Sequence, residues 1–276
     1  MKLSIVTVNF NDAQGLKKTI ESVVSQTFSD YEYIVIDGNS TDNSLAVIKE
    51  SLGKRGHWLS EPDTGIYNAM NKGIAMAKGD YIQFLNSGDT LYSDTVLDEI
   101  FSQEHTADML TGAIVRQYQY AEVVDKGQLY VRLKKGEQLT LMDFYLGTLP
   151  HQATFIRRDL FQKYGMYDER FRIVADWLFF LKTIGIHGVS IEYVNKIIVR
   201  FDSYGVSNID DEKLKTERAA ALASLYPPFI VKDYDFFESY HKIFRYAWGY
   251  RLLRFLQRSI TVYDMTRQRV NRILKR

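Results

Sequence analysis

The sequence contains no cysteine, and this absence excludes several classes of protein. A chain of 276 residues without cysteine has no disulfide framework, no thiolate metal site and no cysteine nucleophile. This composition suits a reducing compartment. We therefore expect the protein to be cytoplasmic.

Long apolar runs are also absent. No segment approaches the roughly 18 consecutive apolar residues of a membrane-spanning helix. The apolar run at the N-terminus is too short for a secretory signal. If the protein meets a membrane, we expect the contact at the inner face of the cell membrane.

The chain has almost no net charge, because 35 Lys and Arg residues stand against 34 Asp and Glu residues. The resulting charge of +1 gives no field that would attract nucleic acid, and we expect no nucleic-acid partner. The basic residues are unevenly distributed. Residues 232–276 hold 11 basic and 4 acidic residues, a local charge of +7, which leaves −6 for residues 1–231.

A glycine-rich phosphate loop is missing near the N-terminus. Dinucleotide-binding proteins have Gly-x-Gly-x-x-Gly after the first strand, whereas this chain has the turn NFNDAQG. A nicotinamide or flavin enzyme is therefore excluded. A sugar nucleotidyltransferase, an alternative with a similar architecture, would need a Gly-rich basic loop here, and NFNDAQGLKK matches such a loop poorly.

Apolar runs alternate with helical patterns in the first part of the chain. Runs typical of buried strands occur at residues 3–10, 31–37, 57–60 and 81–85, and helical patterns lie between them. The alternation predicts an α/β fold with a mostly parallel central sheet and helices on both faces. The regular alternation of strand and helix patterns ends after residue 95. Residues 207–276 have a helical pattern that only Pro227-Pro228 interrupts.

Polar residues follow each of the four predicted strands. They are residues 9–11, 37–40, 61–63 and 86–89. Because parallel sheets bind ligands at the carboxyl ends of their strands, these amide, hydroxyl and carboxylate groups are expected to form one site. Such a site suits a nucleotide whose diphosphate is held through Mg²⁺ or Mn²⁺, since Mg²⁺ takes only one or two protein carboxylates.

Six motifs occur in order over about residues 3–207: SIVTVNFN, VIDGNSTDNS, SEPDTGIYNAMNKGIAMAKGDYIQFLNSGD, LPHQATFIRRDLF, FRIVADW and YGVS. Together they resemble the family 2 glycosyltransferases with the GT-A fold, in particular the bacterial branch that assembles surface polysaccharides. The resemblance implies a GT-A domain at residues 1–206, with a Rossmann-like nucleotide-sugar-binding half (1–95) and an acceptor-binding half (96–206). A C-terminal helical extension follows at residues 207–276.

The resemblance also implies a reaction. A sugar would move, with inversion, from a nucleotide diphosphate sugar, most simply a UDP-sugar, to a glycan or lipid-linked acceptor in cell-surface polysaccharide synthesis. Asp176 would be the general base, and Asp89 with Asn86 would bind the metal. Asp37 would read the donor base within a nucleotide-sugar site that comprises Thr7, Asn9, Asp37, Asn39, Asp63, Asn71, Asn86 and Ser87.

Two residues next to the predicted strand 153–156 have an open assignment. His151 and Gln152 are candidates for acceptor contact, and His151 is also a candidate for metal contact. A histidine before a strand is also typical of a hydrogen-bonded structural residue. Both readings remain open for His151.

The sequence departs from the common family pattern in two places. Asn86 and Gly88 stand where many relatives have carboxylates, which leaves Asp89 as the only acid of its turn, and Ala175 stands where an acid usually precedes the base. An amide oxygen is a legitimate metal ligand but carries no charge. We therefore predict weak metal binding before the donor arrives. A catalytically weak or silent nucleotide-sugar-binding protein remains the alternative.

The C-terminal segment has two interpretations. In YHKIFRYAWGYRLLRFLQRS, aromatic and aliphatic residues recur four apart, with Arg251, Arg254 and Arg258 on a neighbouring side. This pattern favours a cationic amphipathic helix on an anionic bilayer, and hence peripheral membrane contact through residues 232–276. A helix docked on the catalytic domain, or a homo-oligomer contact, would have the same pattern.

Overall fold

The computed structural model describes residues 1–53, 56–118, 121–125, 133, 136–202 and 211–244. The chain divides into two compact units, Met1–Ala221 and Leu222–Arg276. Residues 211–221 belong to the first unit. The predicted domain boundary after residue 206 lies outside the described residues. The predicted YGVS motif at residues 204–207 lies outside the described residues.

The described strands of the first unit form one nine-stranded sheet in the order β3-β2-β1-β4-β8-β6-β9-β5, with β7 paired to β6. Their bounds are β1 Leu3–Asn9, β2 Tyr31–Asp37, β3 Gly56–Ser60, β4 Tyr81–Phe84, β5 Thr90–Leu91, β6 Met109–Tyr118, β7 Ala121–Asp125, β8 Thr154–Arg157 and β9 Ile191–Asp202.

The described helices of the first unit are α1 Ala13–Val24, α2 Ser44–Ser51, α3 Ile66–Met76, α4 Val96–Phe101, α5 Leu141–Leu146, α6 Arg158–Tyr164, α7 Ala175–Phe180 and α8 Asp211–Leu225, whose last residues extend into the second unit. A π-helical segment, Leu181–Ile186, continues α7, and a 3-10 turn, His151–Ala153, precedes β8.

The first half of the sheet is parallel, as the sequence predicted. Strands β3, β2, β1 and β4 pair in parallel, whereas β8 joins β4 antiparallel and begins the mixed second half. Every residue of β1 and β2 is buried because helices cover both faces.

One face of the sheet packs against apolar side chains of α1, α2 and α4. On the other face α3 lies close to β1, because Gly73 has no side chain. A Cβ atom at Gly73 would meet Val6 Cγ1 at 2.3 Å. Beside α3, Phe84 of β4 contacts the rings of Phe161 and Tyr167, which extends this second core toward α6 and α7.

Register brings the strand ends to one edge of the sheet. Asn9 at the end of β1 pairs with Asp37 at the end of β2, and Asp37 pairs with Ser60 at the end of β3. On the opposite side of β1, Val6 pairs with Phe84, so β4 ends three residues before this edge and the residues that follow it, 85–87, lead to the edge. The predicted polar strand ends therefore meet there.

The second unit, Leu222–Arg276, contains the described helix α9, Pro228–Phe244. The predicted break at Pro227-Pro228 falls where α9 begins, with Pro228 as its first residue. Phe229, Phe236 and Phe237 are exposed large apolar side chains on α9. Residues 245–276, which hold most of the predicted cationic segment, lie outside the described residues. Among the helices that the structure describes, none is long and apolar enough to cross a bilayer.

Candidate active site

The ends of four strands are joined by a network that we call the Asn9 cluster, formed by Asn9, Asp37, Ser40, Ser60 and Ser87. Asn9 Nδ2 donates to Asp37 Oδ1 at 2.8 Å and to Ser40 Oγ at 3.2 Å. Asn9 Oδ1 accepts from Ser87 Oγ at 2.9 Å. One buried amide therefore connects the ends of β1, β2 and β4.

Asp37 is fully buried at the centre of this cluster. Its carboxylate accepts four hydrogen bonds, from Asn9 Nδ2, Ser40 Oγ, the Ser40 backbone N–H and Ser60 Oγ. Burial alone would raise its pKa, but the donors at Ser40, Ser60 and Asn9 outweigh burial and lower the pKa below its ordinary value. In this geometry all four donors to Asp37 come from the protein itself, and its predicted contact with a nucleobase stays a prediction.

A second group of side chains, Phe10, Asn39 and Asp63, is more open to solvent and lies around Gly38, the residue that follows Asp37 and β2. A Cβ atom built on Gly38 would lie 2.6 Å from Asp63 Oδ2 and 3.1 Å from the ring of Phe10. Phe10 is 66% exposed although its side chain is large and apolar. Exposed Asn39 beside it has a positive φ of 62°, a conformation that Asn tolerates better than most residues. Gly38 thus leaves room for a carboxylate and an aromatic ring to converge.

The turn at residues 86–89 leaves β4 and folds over α1. Gly88 has a φ of 93°, which favours glycine, and its backbone N–H donates to Thr19 Oγ1 at 3.0 Å. Thr19 Oγ1 in turn donates to the Asp89 carbonyl at 2.8 Å. The buried Asp89 carboxylate accepts from the Asp202 backbone N–H at 3.1 Å. Burial raises the pKa of Asp89 to about 7, and the nearby Asp202 carboxylate adds to this effect.

These residues fit a divalent cation that is completed by a ligand. Asn86 Oδ1 is buried and has no hydrogen-bond partner among the described residues. A Cβ atom on Gly88 would lie 3.2 Å from Asp202 Oδ2, so a second carboxylate lies beside the turn. In the described part of the chain, no group of three or more His, Asp or Glu side chains could hold a metal ion by itself. These few oxygen ligands suit a cation that takes its remaining ligands from phosphate and water.

His151 connects this turn to Asp176. His151 Nε2 lies 3.3 Å from Asn86 Nδ2, and His151 Nδ1 lies 2.9 Å from Asp176 Oδ2. The other carboxylate oxygen, Asp176 Oδ1, lies 2.8 Å from the Tyr67 hydroxyl. Three of the predicted site residues, Asn86, His151 and Asp176, are thus linked by direct contacts. Tyr67 and His151 are the two side chains that contact the Asp176 carboxylate.

Asp176 lies in the first turn of α7. Burial alone would raise its pKa, but the hydrogen bond and charge of His151, together with the Tyr67 hydroxyl, lower the pKa below its ordinary value. The group is therefore ionised at neutral pH, which is the form that can accept a proton.

Strand β4 also holds the turn that carries His151. The buried Gln83 donates from Nε2 to the Gln152 carbonyl at 2.8 Å. Gln83 and Asn86, three residues apart, therefore contact the 3-10 turn at two points. Gln152 is itself buried and is fixed through its backbone, while His151 faces the site.

Two predicted donor-binding residues have internal partners. Thr7 is fully buried, and its hydroxyl lies 2.9 Å from the hydroxyl of Tyr33 within the sheet. Asn71 is buried in α3, where its amide bonds both backbone polar groups of Tyr167 and the carboxylate of Glu169. Contact of either side chain with a nucleotide stays a prediction.

The sequence analysis missed Phe10, Tyr67, Gln83 and Asp202. Phe10 and Tyr67 lie inside quoted motifs, NFN and TGIYNAMN, so their positions were a usable signal. Asp202 comes next to Asp89 through the pairing of β5 with β9, which joins residues more than 100 positions apart. No local pattern points to that contact.

Comparisons with known proteins agree with this architecture. The model of Glycosyl transferase family 2 matches residues 4–165. A PGL/p-HBAD biosynthesis glycosyltransferase of Mycobacterium bovis is 29% identical over 224 residues, which are 77% of this chain and 82% of the relative. An uncharacterized glycosyltransferase of Mycobacterium tuberculosis is 34% identical over 210 residues, which are 75% of this chain and 77% of the relative.

Solved structures share the fold at low identity. TarS of S. aureus in complex with UDP has a TM-score of 0.62 at 18% identity, and TarS in complex with UDP-GlcNAc has the same score. Mannosyltransferase PcManGT from Pyrobaculum calidifontis, in complex with GDP-Man and Mn²⁺, has a TM-score of 0.58 at 14% identity. These matches cover 81% and 80% of this chain but only 65% of the UDP-bound TarS chain and 61% of the PcManGT chain. Together with the family match over more than half of the sequence, the fold shows that the chain belongs to glycosyl transferase family 2, with the GT-A fold.

Proposed function

We propose that this protein is an inverting glycosyltransferase that uses a nucleotide diphosphate sugar. One observation carries the proposal. His151 contacts both Asn86, in the turn suited to a metal and diphosphate, and Asp176, a carboxylate kept ionised. A single-displacement transfer needs both groups next to each other, because the leaving diphosphate and the attacking hydroxyl lie on opposite faces of one sugar carbon.

The nucleoside of the donor is assigned to Phe10, Gly38 and Asp63. An exposed ring at a strand end offers a stacking surface of the kind that nucleobases use. The Asp63 carboxylate, close to Gly38, can accept an N–H from the base edge. A uracil imide N–H meets this requirement, and the solved complexes of TarS with UDP and UDP-GlcNAc support a UDP-sugar as donor. Asn39 and Ser87, at the ends of β2 and β4, are assigned to the ribose and phosphate side.

Asp89 and Asn86 would hold Mg²⁺ or Mn²⁺. Asn86 Oδ1, which has no hydrogen-bond partner within the described part of the chain, and the buried Asp89 carboxylate supply oxygen ligands in the turn. The Mn²⁺ in the PcManGT complex supports the same assignment. When bound, the cation would neutralise charge on the departing diphosphate.

Asp176 is assigned as the general base. As the acceptor oxygen attacks the anomeric carbon and the bond to the diphosphate breaks, the acceptor proton would pass to the Asp176 carboxylate. Tyr67 and His151 hold the two carboxylate oxygens and so fix the direction of the remaining lone pairs. No protein nucleophile is needed, in keeping with inversion by direct displacement.

The acceptor is proposed to be a glycan or lipid-linked sugar of the cell surface. The names of the mycobacterial relatives and of a poly(ribitol-phosphate) β-N-acetylglucosaminyltransferase, TarP of Staphylococcus aureus, which is 35% identical over 118 residues, support this class. A cytoplasmic location with contact at the inner membrane face would fit such an acceptor. The exposed Phe229, Phe236 and Phe237 of α9 and the +7 charge of residues 232–276 support that contact. A homo-oligomer through the same segment remains the other prediction.

The test is a screen of UDP- and GDP-sugars for nucleotide release, with and without Mn²⁺, using wild-type protein and Asp176→Asn. Release by the wild type that falls in the variant supports the proposal. A catalytically silent protein would bind UDP and release nothing in either form. A sugar nucleotidyltransferase would instead produce pyrophosphate from a nucleoside triphosphate and a sugar phosphate, and the family match lends it no support.

A further inference from the structure

Helix α8 reaches the segment that leads into Asp176. Glu217 Oε2 accepts a hydrogen bond from the Arg172 backbone N–H at 3.0 Å and another from the Ile173 backbone N–H at 2.8 Å. The two donors lie four and three residues before Asp176 and just outside helix α7, which begins at Ala175. One carboxylate oxygen thus holds two consecutive peptide groups at the entrance to that helix.

The next residue of α8, Arg218, contacts Trp177, which directly follows Asp176. The Arg218 guanidinium carbon lies 4.5 Å from the centroid of the Trp177 ring, and Arg218 Nη2 donates to the Gly147 carbonyl at 3.3 Å. Trp177 Nε1 donates to the Phe144 carbonyl, which fixes the ring against α5. Glu217 and Arg218 therefore hold the chain before and after Asp176.

The local sequence offers little else to fix this segment. The N-cap position of α7 is Val174, and in the described chain it makes no side-chain capping bond. A helix entrance with an apolar cap leaves its backbone N–H groups to other partners. Ile173 also offers its carbonyl to the Tyr67 hydroxyl at 2.9 Å, and Tyr67 contacts Asp176. A shift of residues 172–174 would therefore affect the Asp176 carboxylate in two ways, through the backbone of the chain and through the hydroxyl of Tyr67.

We propose that Glu217 and Arg218 are positioning residues for Asp176, so that α8 is part of the catalytic apparatus although it lies beyond the residues matched by the family model. The inference rests on the proposed function of Asp176 as base. Neither residue touches the reacting atoms, and both act through the backbone and ring that flank the base. A displacement of about 1 Å in a catalytic group costs about 10²-fold in rate, so loss of this support should lower turnover and leave donor binding intact.

Three variants test the inference. Glu217→Ala removes the acceptor. Glu217→Gln keeps a side-chain oxygen that can accept from both N–H groups, but it removes the negative charge that strengthens those two hydrogen bonds. Glu212→Ala, on the same helix with its side chain 83% exposed, is the matched control. Each is compared with the wild type for turnover of the donor found in the screen, UDP affinity with Mn²⁺, and hydrogen exchange of the Arg172 and Ile173 amides.

The expected turnover falls about 10²-fold in Glu217→Ala, falls much less in Glu217→Gln and is unchanged in Glu212→Ala. UDP affinity should be equal in all four proteins, and amide exchange at Arg172 and Ile173 should be faster only in the Glu217 variants. Wild-type turnover in Glu217→Ala would overturn the inference, as would a loss of UDP affinity in proportion to turnover. A wild type that releases no nucleotide would instead reject the proposed function, whatever the exchange rates show.

Discussion

Asp37 directly precedes Gly38, and the Asp63 carboxylate lies beside Gly38, but we propose different roles for the two acids. Two alanine variants distinguish these roles. Asp37→Ala removes the acceptor of four hydrogen bonds inside the buried Asn9 cluster. At a net value of about 1 kcal/mol for each bond, the free energy of unfolding should fall by about 4 kcal/mol. For a protein of this size, that loss corresponds to a decrease in Tm of roughly 8–16 °C.

Asp63→Ala should have the opposite profile. Asp63 is only half-buried and, within the described part of the chain, accepts one hydrogen bond, from the Gly65 backbone N–H, so its removal should cost about 1 kcal/mol of stability. If Asp63 accepts the base N–H, its removal should weaken UDP binding by about 1.5–3 kcal/mol, the value of a hydrogen bond to a charged group. Thermal unfolding and UDP calorimetry on both folded variants make the comparison. An Asp37→Ala protein of normal Tm with lost UDP affinity would refute this assignment and restore Asp37 as the reader of the base.

The pH dependence of stability gives an independent check on Asp37. Its donors lower its pKa in the folded state below that of the unfolded chain, which is about 3.9. The carboxylate therefore contributes its stability fully above the unfolded pKa and loses it as pH falls through the folded pKa. The difference in unfolding free energy between wild type and Asp37→Ala should be constant near neutral pH and shrink below about pH 4. A difference that grows toward acid pH would contradict the hydrogen-bond arrangement.

Further predictions concern the metal, the base and the second unit. Asp176→Asn should keep UDP affinity while turnover falls about 10²- to 10⁴-fold, measured by nucleotide release; near-normal turnover would move the base to His151. Asp89→Asn should weaken UDP binding in Mn²⁺ and turnover together, and equal UDP affinity with the wild type would remove Asp89 from the metal site. Calorimetry should find weak Mn²⁺ binding to the protein alone and much tighter Mn²⁺ binding with UDP, because one carboxylate and one amide leave most of the coordination to phosphate and water. Equal Mn²⁺ affinities with and without UDP would count against Asp89 and Asn86 as the metal ligands. Deleting residues 232–276 should reduce sedimentation with anionic vesicles at low salt, and a full-length protein that stays in the supernatant would favour an oligomer or intramolecular role.

The first half of the fold could be predicted because three of its four strands, β1, β2 and β4, are buried on both faces. Strands of that kind form uninterrupted apolar runs, and the runs at residues 3–10 and 31–37 correspond closely to β1 and β2. The polar residues that end such runs must lie at one edge, so the place of the candidate site followed from the order of strands and helices. The sequence of the second half of the sheet shows no comparable alternation of strand and helix patterns. A two-residue strand such as β5 has no detectable sequence pattern.

The roles of single residues were harder to predict, because they depend on which distant groups use up each polar atom. Asp37 stands at a strand end like a ligand-binding residue, but Asn9, Ser40 and Ser60 occupy its carboxylate. Glu217 shows the reverse case. Nothing in its helical surroundings marks it, and its partners lie 44 and 45 positions away in the chain.

The Asn9 cluster limits how the donor preference of this protein could change. One amide joins Asp37, beside the proposed nucleoside site, to Ser87, in the turn proposed for the diphosphate. If the proposed donor site is correct, a substitution at Asn9 alters both of its ends at once. Neither natural drift nor laboratory selection could retune the base preference through Asn9 without moving the phosphate turn. Phe10 and Asp63 have no such tie to the turn in the described contacts, so they are the positions where a library for new nucleotide specificity should be built.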